Sequence, residues 1–177
     1  MKRIILHWTA GAYFPSFFDK QFYHYLVDSN GAVHCGKYPP EANLDVSTGR
    51  YAAHTGGGNT ASIGVALCAM AGFESARTVG LYPITAVQLE SAFALCAELC
   101  REYDLPITAF TLMTHYEFGL ANPKTSSAGK IDINFLPPYP DVEARNVGGF
   151  IRSKVKWYKQ KADAGLLAPI VKLPYKQ

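Results

Sequence analysis

Residues 62–68, Ser-Ile-Gly-Val-Ala-Leu-Cys, are small or apolar at every position, so neither side of this stretch belongs in water. A strand buried on both faces sits at the centre of a sheet, with further layers packed above and below it. One candidate layer follows directly. Thr85-Ala86-Val87-Gln88 is a capping box, in which the threonine hydroxyl and the glutamine side chain satisfy free amides of a starting helix reciprocally. Beyond it, Leu89, Ala92, Phe93, Cys96, Leu99, Cys100 and Tyr103 recur at helical spacing as one apolar face, which stops near Leu105-Pro106. The implied fold is α/β: a single domain in which a central mixed β-sheet is flanked by helices.

Three further segments fit that sheet. Ile4-Ile5-Leu6-His7-Trp8-Thr9 is a short apolar run ending at a turn, and reads as a buried strand. Residues 13–21 are aromatic-rich and irregular. The run from Phe22 to Val27 then meets Asp28-Ser29-Asn30-Gly31 before Ala32-Val33-His34-Cys35-Gly36, and Asn-Gly between strand-like runs predicts a hairpin with φ > 0 at both turn positions. Phe110-Thr111-Leu112-Met113-Thr114 is a strand that delivers His115, and residues 118–129 read as a polar loop. Residues 37–50 are loop. The glycines at 56–58 precede a strand and lack a following Gly-Lys-Ser/Thr, so they are not a phosphate loop. After Pro137-Pro138-Tyr139-Pro140, Asp141 is placed to cap a last helix that Gly148-Gly149 interrupts. Phe150, Ile151, Val155 and Tyr158 form its buried stripe, with Arg152, Lys154, Lys156, Lys159 and Lys161 mostly outside.

At 177 residues the chain suits one domain, assigned to 1–165 with a short C-terminal tail at 166–177. Hydrophobic residues at 49% and charged residues at 18% exclude a disordered chain. Cys35, Cys68, Cys96 and Cys100 contain no CxxC pair, and the last two fall on the helix face as buried thiols rather than a bridge. Only three apolar residues separate Met1-Lys2-Arg3 from His7, too few for a signal peptide, so synthesis in the cytoplasm is expected. Residues 145–177 carry +7 and the rest −4, an asymmetry that points to an anionic partner surface. A nucleic-acid partner is disfavoured, because no helix-turn-helix, finger or RNA-binding signature accompanies the basic segment.

The candidate chemistry lies at 115–132. His115, Glu117, Lys130 and Asp132 bracket the polar loop, and His7 ends the first strand. His7, His115 and Asp132 offer two nitrogens and an oxygen, a three-ligand set that leaves a zinc ion one open position, as in catalytic sites. Each residue alone has a plainer reading. A histidine in an apolar run is usually a hydrogen-bonded core residue, and Lys130-Ile131-Asp132 in isolation is an exposed charged loop.

Taken together, the pieces resemble the zinc-dependent N-acetylmuramoyl-L-alanine amidases of the type-2 fold, which include phage amidase lysozymes, wall-recycling amidases and peptidoglycan recognition proteins. The matching residues, in order, are Ile5–Thr9, Tyr23–Gly31, Ala53-His54, Asn59 with Ser62–Val65, the helix from Thr85, His115–Glu117 and Lys130–Asp132, spanning roughly 4–160. The resemblance implies His7, His115 and Asp132 as Zn2+ ligands, Lys130 as support for the oxyanion, Tyr23 as the active-site tyrosine and His54 as a substrate-cleft residue. Glu117 is read as holding an imidazole or the loop. The implied reaction is hydrolysis of the amide between the lactyl group of N-acetylmuramic acid and L-alanine in peptidoglycan. Where the recycling branch carries a glutamate base, this chain has Ala66, so the resemblance favours the tyrosine/lysine version and a phage-type endolysin, monomeric and acting on the wall after release. The alternatives are a non-catalytic peptidoglycan-binding module and a cytoplasmic muropeptide-recycling amidase.

Overall fold

In the computed structural model, which describes residues 1–167, β1 (Arg3–Trp8) lies between β4 (Ser62–Leu67) and β5 (Leu112–Thr114), parallel to both. β2 (Tyr25–Val27) pairs with β4 in parallel and with β3 (Val33–Cys35) in antiparallel fashion, giving the order β3-β2-β4-β1-β5. The sheet is therefore mixed, with helices flanking it in one α/β domain. β4 occupies the interior position that its composition demands, and all six of its residues are buried.

Alternation along the strands divides the sheet into two unlike faces. Ile4, Leu6 and Trp8 of β1, with Ile63, Val65 and Leu67 of β4, join the main core under α2 (Ala86–Glu102) and α4 (Ala144–Asp163). Ile5 and Met113 point the other way and form a small cluster with Phe118 of α3 (His115–Ala121). His7, opposite Ala66 in register, shares the parity of Ile5 and so belongs to this second face.

The capping box at Thr85 forms as predicted, with the threonine side chain accepting from Gln88 N at 3.1 Å. Gln88 also donates from Nε2 to Val27 O and Cys68 O, which ties the helix to two strands. None of the four cysteines forms a disulfide, and Cys96 and Cys100 are buried.

Several local expectations are corrected. A short helix, α1 (Asp19–Phe22), occupies part of the segment expected to be irregular, and Phe22 ends it rather than starting a strand. Tyr23 and His24 consequently precede β2. Around Asn30-Gly31 only Gly31 has positive φ, at 83°. The Asp28 carboxylate organises the turn by accepting from Asn30 N and Ala32 N, so the connection is longer than a two-residue hairpin loop. The last helix starts after Glu143, not at Asp141, and runs unbroken through Gly148-Gly149. Gly148 is a contact point, because a Cβ there would fall 2.0 Å from Glu117 Oε1.

The basic face of α4 is also less free than its sequence suggests. Arg152 forks onto Glu117 at 2.9 and 3.0 Å, Lys154 reaches Glu90 at 3.1 Å, and Lys159 pairs with Asp163 at 2.7 Å. Of the tail assigned to 166–177, residues 168–177 lie outside the described residues. Among the described residues, no helix is long and apolar enough to cross a membrane.

Candidate metal centre

Three elements carry the candidate ligands to one point. β1 supplies His7, which is completely buried. β5 ends at Thr114, whose side chain accepts from Glu117 N while Glu117 Oε2 accepts from Thr114 N. This second capping box opens α3, which begins at His115 and runs four residues into the 118–129 stretch expected to be loop. The chain then folds back over residues 122–131, and Tyr116 N donates to Asp132 O at 3.1 Å. Directly after Asp132, Ile133 is fully buried and holds φ at +61°. A β-branched side chain in that region costs on the order of 1–3 kcal/mol, and persists because its apolar burial over-determines the bend that presents Asp132.

His7 Nδ1 and His115 Nδ1 lie 2.9 and 2.8 Å from the same oxygen, Asp132 Oδ2. The three candidate donor atoms all fall within 4.8 Å of one another. Two imidazole nitrogens and a carboxylate oxygen, converging from three elements, fit a divalent transition metal such as zinc with coordination left open.

The far side of each ring is also engaged. His7 Nε2 lies 3.2 Å from His54 Nδ1 and 3.3 Å from Thr55 Oγ1, which is itself 2.8 Å from His54 Nδ1. His54 Nε2 sits 3.4 Å from Ser62 O. His115 Nε2 lies 3.0 Å from Ser127 Oγ, and Ser127 donates to Gly56 O at 2.8 Å.

The protonation states suit metal binding. Burial lowers the His7 pKa below its ordinary value, against the pull of Asp132. His54 is lowered well below the ordinary histidine range by burial and by the neighbouring His7 and His24. Burial alone would raise Asp132, but the His115 and His7 hydrogen bonds outweigh it and hold the carboxyl below its usual range. A neutral ring and an ionised carboxylate are the forms that ligate.

His54, His115 and Asp132 border a cleft of about 700 Å³ lined also by Tyr23, Lys130, Asn59 and Phe73, while His7 is fully buried beside Asp132. The Tyr23 ring centre stands 5.2 Å from that of His7, and burial, then Asp132, pushes its phenol well above the ordinary value, so it keeps its proton. Lys130 is exposed at the cleft wall. His54 also lines the cleft, but with 6% exposure and both ring nitrogens turned to protein partners. Glu117 is spent on the α3 cap and on Arg152. Thr55 and Ser127 went unnoticed in the sequence, where isolated hydroxyl residues in polar loops carry no distinguishing signal.

The family model described as N-acetylmuramoyl-L-alanine amidase matches residues 1–130. The match takes in His7, Tyr23, His54, His115 and Lys130, and ends just before Asp132. Among solved structures, the chain is similar to the Drosophila peptidoglycan recognition protein SD, with 19% identity and a TM-score of 0.45 over 71% of this chain and 74% of that one. It is likewise similar to a complex of the ectodomains of peptidoglycan recognition proteins LCa and LCx with tracheal cytotoxin bound, with 20% identity and a TM-score of 0.45 over 71% of this chain and 75% of that one. No curated protein matches it.

Proposed function

This chain belongs to the N-acetylmuramoyl-L-alanine amidase family, and from that premise we propose that it is a zinc enzyme cleaving the lactyl–L-alanine amide of peptidoglycan. The observation that carries the reading is the convergence of His7, His115 and Asp132, with one candidate ligand atom of each within 4.8 Å of the others, beside a cleft that also holds Tyr23 and Lys130. Family membership with this cluster supports hydrolytic metalloenzyme chemistry in general; the bond, the metal and the residue roles are the proposal.

Zinc, when bound, supplies Lewis acidity that acidifies water and polarises a carbonyl oxygen. His7, His115 and Asp132 would hold it. Lys130 aims an ammonium at the carbonyl oxygen on which negative charge develops, an interaction of about 3 kcal/mol in comparable hydrolases. Tyr23, which keeps its phenolic proton, donates a hydrogen bond into the cleft and orients the reacting groups. The strand beside His7 contributes only Ala66, so no carboxylate base comes from β4. That combination supports the finer reading of a phage-type endolysin, a catalytic unit at 1–165 made in the cytoplasm and acting on the wall as a monomer. Its attraction to an anionic wall or membrane surface then rests on Lys156 and Lys161 of α4, since Arg152, Lys154 and Lys159 have acidic partners.

The test is metal content and muropeptide hydrolysis in the parent and in Asp132→Ala. One zinc per chain in the parent, with both zinc and hydrolysis lost in the variant, is expected. Metal-free protein that still cleaves would sink the mechanism. Running the same assay on intact sacculi and on small anhydro-muropeptides separates the readings, with an endolysin preferring sacculi.

A further inference from the structure

The outer nitrogens of the two candidate histidine ligands meet two segments that are joined to each other through Gly56 and Ser127. His54 and Thr55 face His7 Nε2, and the Gly56 carbonyl anchors Ser127, which faces His115 Nε2. Donor and acceptor accounting fixes where the protons lie. A carbonyl oxygen only accepts, so the Ser127 hydroxyl hydrogen goes to Gly56 O. Ser127 Oγ must then accept from a hydrogen on His115 Nε2.

The His7 side closes by the same logic. Ser62 O accepts from His54 Nε2, which leaves the neutral His54 ring with a bare Nδ1. Around that bare nitrogen, Thr55 Oγ1 and His7 Nε2 form a triangle with sides of 2.8, 3.2 and 3.3 Å. If His7 Nε2 were also bare, two acceptors would face each other at 3.2 Å with only the threonine hydrogen between them. With a hydrogen on His7 Nε2, that hydrogen goes to Thr55 Oγ1 and the threonine hydrogen to His54 Nδ1, which satisfies every member of the triangle. Both rings then turn Nδ1 inward, 2.9 and 2.8 Å from Asp132 Oδ2, where two bare nitrogens and an ionised oxygen can face one another only around a bound cation.

The His54 ring is seated by β4. A Cβ on Gly64 would fall 2.5 Å from His54 Cγ, so the strand needs a glycine there for the ring to lie flat against it.

We infer that His54, Thr55 and Ser127 are positioning residues, which fix the tautomer and orientation of the two imidazole ligands, Ser127 being tied through Gly56 O to the loop that carries His54 and Thr55. This assigns His54 to ligand control rather than to substrate contact, and it rests on the reading of His7, His115 and Asp132 as a metal site. Outer partners of metal-bound histidines typically contribute about 10- to 100-fold to metal affinity.

The experiment compares the parent with His54→Phe, His54→Gln and Ser127→Ala, each loaded with zinc. Affinity is read by competition with a chromophoric chelator, and ring tautomers by nitrogen-15 NMR. The expected result is Nε2–H on His7 and His115 in the parent. His54→Phe, which fills the space without an acceptor, weakens zinc about 10- to 100-fold. His54→Gln restores most of the affinity, since its amide accepts and donates as the imidazole did. Ser127→Ala, a single hydroxyl removed, gives an independent loss on the His115 side should His54→Phe fail to fold. Variants that bind zinc as tightly as the parent, or a parent with Nδ1–H rings, would overturn the assignment while leaving the metal site standing. A parent that takes up no zinc refutes the metal site, and the assignment falls with it.

Discussion

On one face of the sheet, β4 buries Ile63, Val65 and Leu67 against a helical layer made almost wholly of hydrocarbon. On the other, the same strand presents Ser62, Gly64 and Ala66 to a layer of buried histidines, hydroxyls and a carboxylate. One β-strand period thus separates two kinds of construction. The first face gains from apolar burial, which is non-directional and tolerant of exact partners. The second gains little from burial, because each polar group there must find a partner or cost the fold its desolvation. The division implies that stability and chemistry are separable in this protein: substitutions on the helical face should change folding, and those on the cleft face should change metal binding and rate.

The strongest way to break that division is Phe93→Ala. Phe93 is fully buried in the core of α2, and its truncation should cost about 3–5 kcal/mol. Denaturant unfolding measures the loss. Zinc affinity of the folded fraction should be unchanged, and a parallel fall in affinity would show that the two faces are mechanically coupled. The converse substitution is Lys130→Met at the exposed cleft wall. We expect kcat to fall about 100-fold, from loss of about 3 kcal/mol of oxyanion stabilisation, with zinc affinity and the unfolding midpoint held. A lowered midpoint or lost zinc would mean that Lys130 supports the site's structure instead.

The same contrast governs what the sequence made legible. The helical face announces itself through periodicity: the 86–102 helix, its capping box and the doubly apolar strand 62–68 all read correctly. The box at Thr114 and Glu117 has the same chemistry as that at Thr85 and Gln88, yet α3 from Phe118 onward passed as loop. Its seven residues bury one large apolar side chain, Phe118, and so generate no apolar stripe. The candidate ligands His7, His115 and Asp132 could be picked out only as a set, since no local pattern links His7 to residues more than 100 positions further on. The role of Gly148 was read backwards, because a glycine required by a carboxylate on another helix looks, in sequence, like a helix breaker. The hydroxyls of Thr55 and Ser127 show what no single-sequence pattern carries: partners defined by closure of the fold.

A smaller effect sharpens the comparison through pH, since among the described residues the buried histidines, His7, His24, His54 and His115, lie on the cleft face. His24 is completely buried there, accepting from Gly64 N at 2.8 Å and bonded through Nε2 to Asn43 Oδ1 at 3.0 Å. Burial lowers its pKa from 6.5 to about 4, an effect that the Asn43 bond only partly opposes. The unfolded chain therefore binds a proton here at a higher pH than the folded one does. The contribution of neutral His24 to stability is complete above about pH 6.5 and is lost progressively as pH falls through about 4. For one histidine the loss approaches roughly 3 kcal/mol at the acid end of that window and is smaller at every pH above it. His24→Gln can accept from Gly64 N and donate to Asn43 without titrating. In metal-free protein it should unfold in urea with a shallower pH dependence between 6.5 and 4 than the parent, while Phe93→Ala shifts stability equally at both ends. An unchanged slope in His24→Gln would place the acid sensitivity with His7 and His54, confining it to the metal centre rather than the whole cleft face.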